Sequence, residues 1–343
     1  MPGPREAGEA VRHYILTNVE EHPRDISKVT AEQFSISKQA VNRHVGRLIQ
    51  EGLLAREGRA WTVTYSLVTL SEWNKVYSLT SPLDEYDVWE KDVRPVVGDL
   101  PENVTDIWRY GFTEMLNNAI DHSGGKSVIV KVKKTAVNTE MVISDDGVGI
   151  FKKIQNALNL SDERHAVLEL TKGKLTTDKT KHSGEGIFFT SRIFNSFDII
   201  SGGVYFSHKF GNPEDWILER NSISGTTIWL KIDDHSLRDR GKVYEEHGTP
   251  GEFSFDKTVV PVNLAQYGGD DLVSRSQAKR ILVHLDKFKT VVLDFKGVRL
   301  VGQGFADEVF RVFRREHPTI ELVHINANQD IEKMIQRVEA PQI

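Results

Sequence analysis

Three polar motifs follow one another in a fixed order through the middle of the chain, and this order limits the possible folds more than any single segment does. The first lies on a predicted helix around residues 105–122, and the second is the turn DDGVGI at residues 145–150, which follows a strand. The third, GEG at residues 184–186, precedes the apolar helix start IFFTSRIF, and strands that end in SGTT at residues 224–227 come after it. We expect these distant motifs to converge at one site on an α/β scaffold.

The predicted helix carries a polar stripe. Glu114 and Asn118 lie four residues apart and Asp121 lies three further on, so the three side chains share one face of the helix. Asn117 and Asn118 are poor helix formers in mid-helix, which favours a functional reason for their presence. The stripe predicts a polar site; a solvated surface face is the alternative.

The two glycine motifs indicate places where backbone can approach a ligand. Asp145 stands at a strand end, and Gly147 and Gly149 follow it in a turn that also fits a purely structural role. Gly184 and Gly186 place backbone N–H groups at a helix N-terminus, where phosphate oxygens are stabilised by the aligned peptide dipoles. Each motif taken alone is ambiguous, and only their order is informative.

In these motifs, residues 95–232 resemble the GHKL superfamily, the ATP-binding fold of gyrase, of the ninety-kilodalton heat-shock chaperones, of histidine kinases and of anti-sigma-factor kinases. The resemblance implies a Bergerat-type α/β sandwich with helices over one face of a mixed sheet, which binds ATP and Mg²⁺. The roles it implies are water activation by Glu114, Mg²⁺ coordination by Asn118, an adenine contact by Asp145 with the turn glycines Gly147 and Gly149, phosphate contacts by Gly184 and Gly186, and support of the adenine contact by Thr226. Asp121, on the same helix face, is grouped with these nucleotide-binding residues.

The resemblance also implies a mobile lid over residues 155–183. This segment carries four lysines that are candidates for neutralising phosphate charge: Lys172, Lys174, Lys179 and Lys181. Lysines on a solvated loop are the alternative reading.

Residues 1–68 read as helix, helix, turn, helix and a two-stranded hairpin, an order that resembles winged helix-turn-helix DNA-binding domains of bacterial regulators. Ser37 is the predicted cap of the third helix, which would be the recognition helix. Its candidate base contacts are Lys38, Gln39, Asn42 and Arg43, and its candidate phosphate contacts are Arg47, Arg56 and Arg59. Because the charges of this segment nearly balance, a dimerisation or protein-docking role remains open.

Residues 250–343 alternate strands and helices and resemble a STAS-like domain, most clearly at TVVLDFKGVRLVGQGFADEVFRVF. In the STAS proteins of partner-switching systems, a serine at the turn after this strand receives phosphate. Gly302, Gln303 and Gly304 occupy that turn here, which favours a docking or regulatory role. Residues 69–100 are interpreted as an aromatic-rich connector.

Composition excludes several classes of protein. With 39% hydrophobic and 27% charged residues, the chain has the mix of globular domains, and it lacks any apolar run near the ~18 residues that span a bilayer. The absence of cysteine excludes disulfides and thiolate sites, and the first ten residues lack a secretory apolar core, so we expect a cytoplasmic protein. A net charge of −5 argues against a chain that coats nucleic acid along its whole length.

The sequence therefore predicts a multidomain α+β protein: a winged helix at 1–68, the connector at 69–100, a Bergerat-type α/β sandwich at 101–235 and a small STAS-like α/β domain at 250–343. The predicted function is that of an ATP- and Mg²⁺-binding cytoplasmic regulator with weak ATPase activity, in which the nucleotide controls DNA binding. The alternatives are an anti-sigma-type serine/threonine kinase acting on a partner protein and a nucleotide-independent interaction scaffold. The expected partners are ATP, DNA, a protein bound through the STAS-like domain and a second copy of the chain, with no membrane.

Overall fold

The structure is a computed structural model that describes residues 4–175, 184–211, 215–248, 255–266 and 270–340. These residues form a mixed α+β fold, and their strands form three separate sheets. Among the described residues, no helix combines the length and the apolar character that crossing a bilayer requires.

The N-terminal elements occur in the predicted order. They are the helices α1 (Pro4–Asn18), α2 (Ile26–Phe34) and α3 (Lys38–Gln50) and the antiparallel strands β1 (Leu54–Glu57) and β2 (Thr64–Leu67). The Ser37 hydroxyl accepts a hydrogen bond from the Ala40 N–H at 3.2 Å, as expected of an N-cap. The apolar core of this unit includes Val137 from the middle of the chain, so the unit packs against the next domain.

The middle of the chain forms a five-stranded sheet in the order β3-β4-β5-β7-β6. Its strands are β3 (Ser71–Ser78), β4 (Ser127–Lys134), β5 (Asn138–Asp145), β6 (Ser196–Lys209) and β7 (Trp216–Asp233). The resemblance implied a mixed sheet, but all four strand pairings are antiparallel. For two of these pairings the reason is local: short connections join β4 to β5 and β6 to β7, and such hairpins require antiparallel pairing.

The segment interpreted as a connector is part of this sheet, which corrects the predicted boundary at residue 100. Strand β3 pairs with β4 along eight residues. It is followed by α4 (Glu85–Val88), a π-helical segment (Trp89–Val93) and α5 (Arg94–Val97). Trp89 is 1% exposed and belongs to the main core, so the aromatic residues of the segment are packed inside the domain.

Helices cover one face of the five-stranded sheet. They are α6 (Glu102–His122), α7 (Ile150–Leu158), α8 (Glu163–Lys172) and α9 (Gly186–Ile193). Along β4, Val128, Val130 and Val132 are buried, whereas the alternating residues are more exposed. Because side chains alternate across a strand, this pattern assigns one face to the helices and leaves the other open.

The C-terminal elements form a small parallel sheet in the order β10-β9-β8, with helices around it. In the chain, α10 (Arg240–Glu246) follows β7 and precedes the strands of this small sheet. The remaining elements are β8 (Lys257–Pro261), α11 (Arg275–Leu282), β9 (Thr290–Asp294), α12 (Gln303–Ala306), a π-helical segment (Asp307–Phe313), α13 (Arg314–Glu316), β10 (Glu321–Ile325) and α14 (Gln329–Glu339). Apolar residues of this unit and of the five-stranded domain belong to one continuous core.

Candidate functional site

A cavity of about 330 Å³ lies between the helices and the strands β5 and β7 of the five-stranded sheet. Six of the predicted site residues line it, although more than 100 positions separate the first from the last in the chain: Glu114, Asn118, Asp145, Gly184, Gly186 and Thr226. Apolar walls are supplied by residues such as Met115, Ile143 and Ile228. Its volume lies within the range typical of pockets for small organic ligands.

Helix α6 directs Glu114 and Asn118 into the cavity from consecutive turns. The Asn118 Nδ2 is buried and has no hydrogen-bond partner within the described residues. A buried amide without a partner costs about 1–3 kcal/mol, which favours a bound ligand or water as its natural partner. Asp121, predicted on the same face, is exposed and does not line the cavity, whereas its neighbour His122 does.

Asp145 ends β5 at the inner wall of the cavity. Its Oδ1 accepts hydrogen bonds from the backbone N–H groups of Gly147 at 2.9 Å and Thr226 at 3.3 Å. Both bonds use Oδ1, so Oδ2 can accept from a donor in the cavity. Burial raises the pKa of this carboxyl, and the two backbone hydrogen bonds oppose that rise.

The two turn glycines, Gly147 and Gly149, allow the backbone conformation of the turn and do not line the cavity. A Cβ on Gly147 would collide with the carbonyl group of Ser123. Gly149 has a φ of +94°, and a Cβ there would lie 2.7 Å from the Ser201 Oγ. The glycines are therefore required for a tight turn that positions Asp145. This is the structural one of the two roles that the sequence left open, the other being close approach of a ligand to the backbone.

Thr226 connects β7 to the start of α7. Its Oγ1 accepts a hydrogen bond from the Ile150 N–H at 2.9 Å, and the residue is buried. Because Ile150 is the first residue of α7 and its neighbour Lys153 also lines the cavity, this bond fixes one wall of the site.

Gly184 and Gly186 stand at the start of α9. The Leu175 N–H donates to the Gly184 carbonyl at 3.1 Å, and Gly184 has a φ of +75°. A Cβ on Gly186 would collide with the carboxylate of Glu114. The first turn of α9, whose N–H groups have no partner within the helix itself, is thus held against the cavity.

The structure corrects the roles predicted for the lid lysines that it describes. Lys172 is 1% exposed and its ammonium is bonded to Glu169 and to the C-terminal domain. Lys174 donates to the carbonyl of Lys287. Both therefore point to the C-terminal domain, and neither lines the cavity. These partners are distant in the chain, so the spacing of a polar segment could not reveal them. Lys179 and Lys181 lie outside the described residues.

A cationic residue of the cavity was missed by sequence reasoning. Lys153 on α7 lines the cavity and its Nζ donates to the His122 carbonyl at 2.8 Å, while burial lowers the pKa of its ammonium. The signal was available but weak: Lys153 lies in helical phase with Ile150 and Ile154, which also line the cavity, whereas the adjacent Lys152 does not. Within the described ranges, no group of three or more histidine and acidic side chains is arranged to hold a metal ion.

The candidate DNA contacts form an exposed face of α3. Lys38, Gln39, Asn42, Arg43 and Arg47 are all exposed. Asn42 accepts a hydrogen bond from the Ser27 hydroxyl at 2.8 Å, and the Arg47 Nε lies 2.8 Å from the Glu51 Oε1, so both side chains have partners within the domain.

A local positive potential surrounds this face. The pKa of His44 is lowered, first by burial and then by the charges of Arg12, Arg43 and Arg47. The turn between β1 and β2 carries Trp61, which is 91% exposed.

Comparison with known families identifies one part of the chain. Residues 277–332 match the model of a STAS-like domain of unknown function (DUF4325). The matched residues run from α11 to the first turn of α14 and include the turn Gly302-Gln303-Gly304. The chain therefore has a C-terminal STAS-like domain. None of the curated proteins compared matches the chain.

Proposed function

We propose that this protein binds ATP with Mg²⁺ in the cavity between α6, α9 and the sheet, and that the bound nucleotide controls how its terminal domains meet DNA or a protein partner. The observation that carries the proposal is the convergence of Glu114, Asn118, Asp145 and Thr226 on one cavity with the glycine start of α9. The order of these motifs is that of the GHKL superfamily, and their spatial arrangement supports the same chemistry.

The inner end of the cavity suits a purine base. The Asp145 Oδ2 can accept a hydrogen bond from an exocyclic amino group, while Met115, Ile143 and Ile228 supply apolar surface for the ring faces. Adenine carries such an amino group, and a base with a carbonyl oxygen at that position would face a carboxylate acceptor. The preference for adenine over guanine follows from this mismatch.

The outer end suits phosphate and Mg²⁺. The N-terminus of α9 offers backbone N–H groups for phosphate oxygens, and Lys153 adds a cation to the wall. Mg²⁺ takes one or two protein oxygens and otherwise water and phosphate, so Asn118 alone is a sufficient anchor. The ion, when bound, would neutralise charge on the phosphate oxygens.

Glu114 is the candidate general base. Its carboxylate lies beside the start of α9, next to the region where terminal phosphates would lie. A base within hydrogen-bond reach of an attacking water or hydroxyl contributes about 10² to 10⁴ in rate. This geometry serves hydrolysis and also transfer to a serine or threonine of a partner, so an anti-sigma-type kinase is the second candidate function.

The DNA-binding part of the proposal is supported by α3. Its exposed face combines Lys38, Gln39, Asn42 and Arg43, whose side chains match base-edge and phosphate contacts in a major groove. The cation cluster around His44 supplies the local positive charge that the chain as a whole lacks.

Calorimetric titration with Mg-ATP tests the nucleotide proposal. Asn118→Ala is expected to abolish Mg²⁺-dependent binding, whereas Glu114→Ala is expected to retain binding and lose product formation. Asn156→Ala, an exposed position on α7, is the matched control and should bind as the wild type does. Absence of heat with ATP, ADP and a non-hydrolysable analogue would refute the proposal.

A second experiment tests gating. Binding to a pool of random-sequence DNA duplexes is measured with and without Mg-ATP for the wild type, for Arg43→Ala and for the control Arg315→Ala, an exposed position of the C-terminal domain. We expect a nucleotide-dependent affinity that Arg43→Ala alone weakens. Identical affinity and footprint in both conditions would remove the gating claim, and labelled phosphate on a partner protein would favour the kinase.

A further inference from the structure

Helix α8 joins the cavity wall to the STAS-like domain through a buried lysine. The Lys172 ammonium donates to the Glu169 Oε1 at 2.5 Å, to the Val283 carbonyl at 2.8 Å and to the Arg280 carbonyl at 3.2 Å. An ammonium has three donors, so these three acceptors satisfy it completely. Two of the three belong to the C-terminal end of α11, in the STAS-like domain.

Two further contacts hold the same helix. The Thr258 hydroxyl of β8 donates to the Lys172 carbonyl at 2.7 Å. The His284 Nδ1 lies 2.8 Å from the Glu169 Oε2, and the side chain of Glu169 is 1% exposed. Both the backbone and the side chains at the end of α8 are therefore bonded to the C-terminal domain. These hydrogen bonds are shielded from water, and a hydrogen bond is stronger in such an interior than in water.

The segment after α8 continues the contact. The Lys174 Nζ donates to the Lys287 carbonyl at 3.0 Å, and the Lys287 Nζ donates to the Lys174 carbonyl at 3.1 Å. Lys174 also lies 4.9 Å from the ring centre of Phe288. Gly173 has a φ of +78° and packs so closely on Phe255 that a Cβ would lie 2.5 Å from its ring. The backbone of residues 172–174 is thus packed against the C-terminal domain and hydrogen-bonded to it.

This contact with the C-terminal domain is adjacent to the cavity. Leu170 and Leu175 line the cavity on either side of residues 172–174, and the Leu175 N–H donates to the carbonyl of Gly184, which is also a cavity residue. A displacement of residues 172–174 would therefore move the cavity wall and the residues that lead into α9.

We propose that the STAS-like domain regulates the nucleotide site within the same chain by holding α8 and residues 173–175 in the position that completes the cavity. The inference rests on the proposed nucleotide function and names its regulation. Docking of α8 on the STAS-like domain and nucleotide binding are then thermodynamically coupled, so each strengthens the other by the same factor. A protein that competes for this surface of the STAS-like domain lowers the affinity for nucleotide.

Variants at the rim of the contact test the coupling without removing the buried lysine. Lys287→Met and Thr258→Val each delete one of the bonds to residues 172–174, and Lys333→Met on the exposed face of α14 is the control. Lys287 is exposed, so its replacement leaves the core intact. The probe is Mg²⁺ with a non-hydrolysable ATP analogue, and circular dichroism of each full-length variant verifies that it is folded.

For the double variant Thr258→Val/Lys287→Met we expect affinity for the analogue to fall about fivefold or more, whereas Lys333→Met binds as the wild type does. In the wild type, the analogue should slow amide hydrogen exchange in peptides covering residues 277–289, which lie outside the cavity.

The outcomes separate the two proposals. If the wild type binds the analogue, but the double variant binds equally well and exchange at 277–289 is unchanged, the regulatory inference is wrong and nucleotide binding stands. If the wild type does not bind the analogue, the proposed function is wrong and the inference fails with it.

Discussion

Helix α9 begins against the carboxylate of Glu114, in a space that exists only because Gly186 has no side chain. The two residues are 72 positions apart in the chain, and their contact joins the polar face of α6 to the N-terminus of α9. A carboxylate is favourable at a helix N-terminus because of the positive end of the helix dipole. The same contact fixes where the candidate base stands relative to the N–H groups proposed to hold phosphate.

Gly186→Ala should displace the Glu114 carboxylate. If Glu114 is the base, product formation from Mg-ATP is expected to fall about 10²-fold or more, while the unfolding midpoint changes little. Gly46→Ala on α3 is the control, because nothing lies within 4 Å of a Cβ at that position. Unchanged turnover in Gly186→Ala would show that the position of Glu114 does not limit the reaction.

Thr226→Val should destabilise the protein by about 1–3 kcal/mol, because the Ile150 N–H loses its hydrogen-bond acceptor. Thr226→Ser keeps the hydroxyl and should retain most of the stability. The measurement is the free energy of unfolding in urea for the three proteins. A valine variant as stable as the wild type would show that this hydrogen bond does not contribute to stability.

Lys172→Met should destabilise the protein by about 3–5 kcal/mol, because it leaves the buried Glu169 carboxylate without its cation. Lys172→Met/Glu169→Gln should recover a large part of this loss, since neither charge then remains buried. Chemical denaturation of the wild type, the single variant and the double variant measures the difference. A double variant less stable than the single one would mean that Glu169 is stabilised mainly by His284.

Acidification should destabilise the protein in part through His247. Burial lowers the pKa of this imidazole to about 4, below its ordinary value of 6.5. The unfolded chain therefore takes up a proton first as the pH falls, so the stability present above pH 6.5 is lost progressively between pH 6.5 and pH 4. The loss from this one residue is of the order of 3 kcal/mol.

His247→Phe tests this, because the ring stands among Phe188, Phe189 and Phe255 and an apolar ring suits the place. The variant should show a shallower decline of the unfolding midpoint between pH 6.5 and pH 4. The exposed His235→Phe is the control and should follow the wild type. A decline as steep in His247→Phe as in the wild type would assign the pH dependence to other groups, such as His208 and His165, whose pKa values burial also lowers.

Local periodicity was sufficient to predict most elements. The spacing of Glu114 and Asn118 placed both on one helix face, and the apolar run TVVLDF predicted the buried strand β9 of the domain that the family comparison identifies as STAS-like. These predictions succeed because they depend on side chains only a few positions apart.

Features that depend on distant contacts were not predictable in the same way. Strand β3 looked like a connector because its paired residues in β4 lie 49 to 63 positions later in the chain. Lys172 looked like a lid cation because a buried lysine has no local signal. Two of the three acceptors of Lys172 lie 108 and 111 residues away. Only the folded chain reveals that such a charge is satisfied.

The position of β3 at the edge of the five-stranded sheet affects any attempt to dissect the chain. A fragment that starts at Pro101 would lack this strand. The eight residues of β4 that pair with it would then form an edge strand with unpaired backbone N–H and C=O groups. Exposed edge strands of this kind pair with strands of other molecules, so we expect the fragment to associate or precipitate. A recombinant piece intended for ligand studies should therefore begin before Ser71.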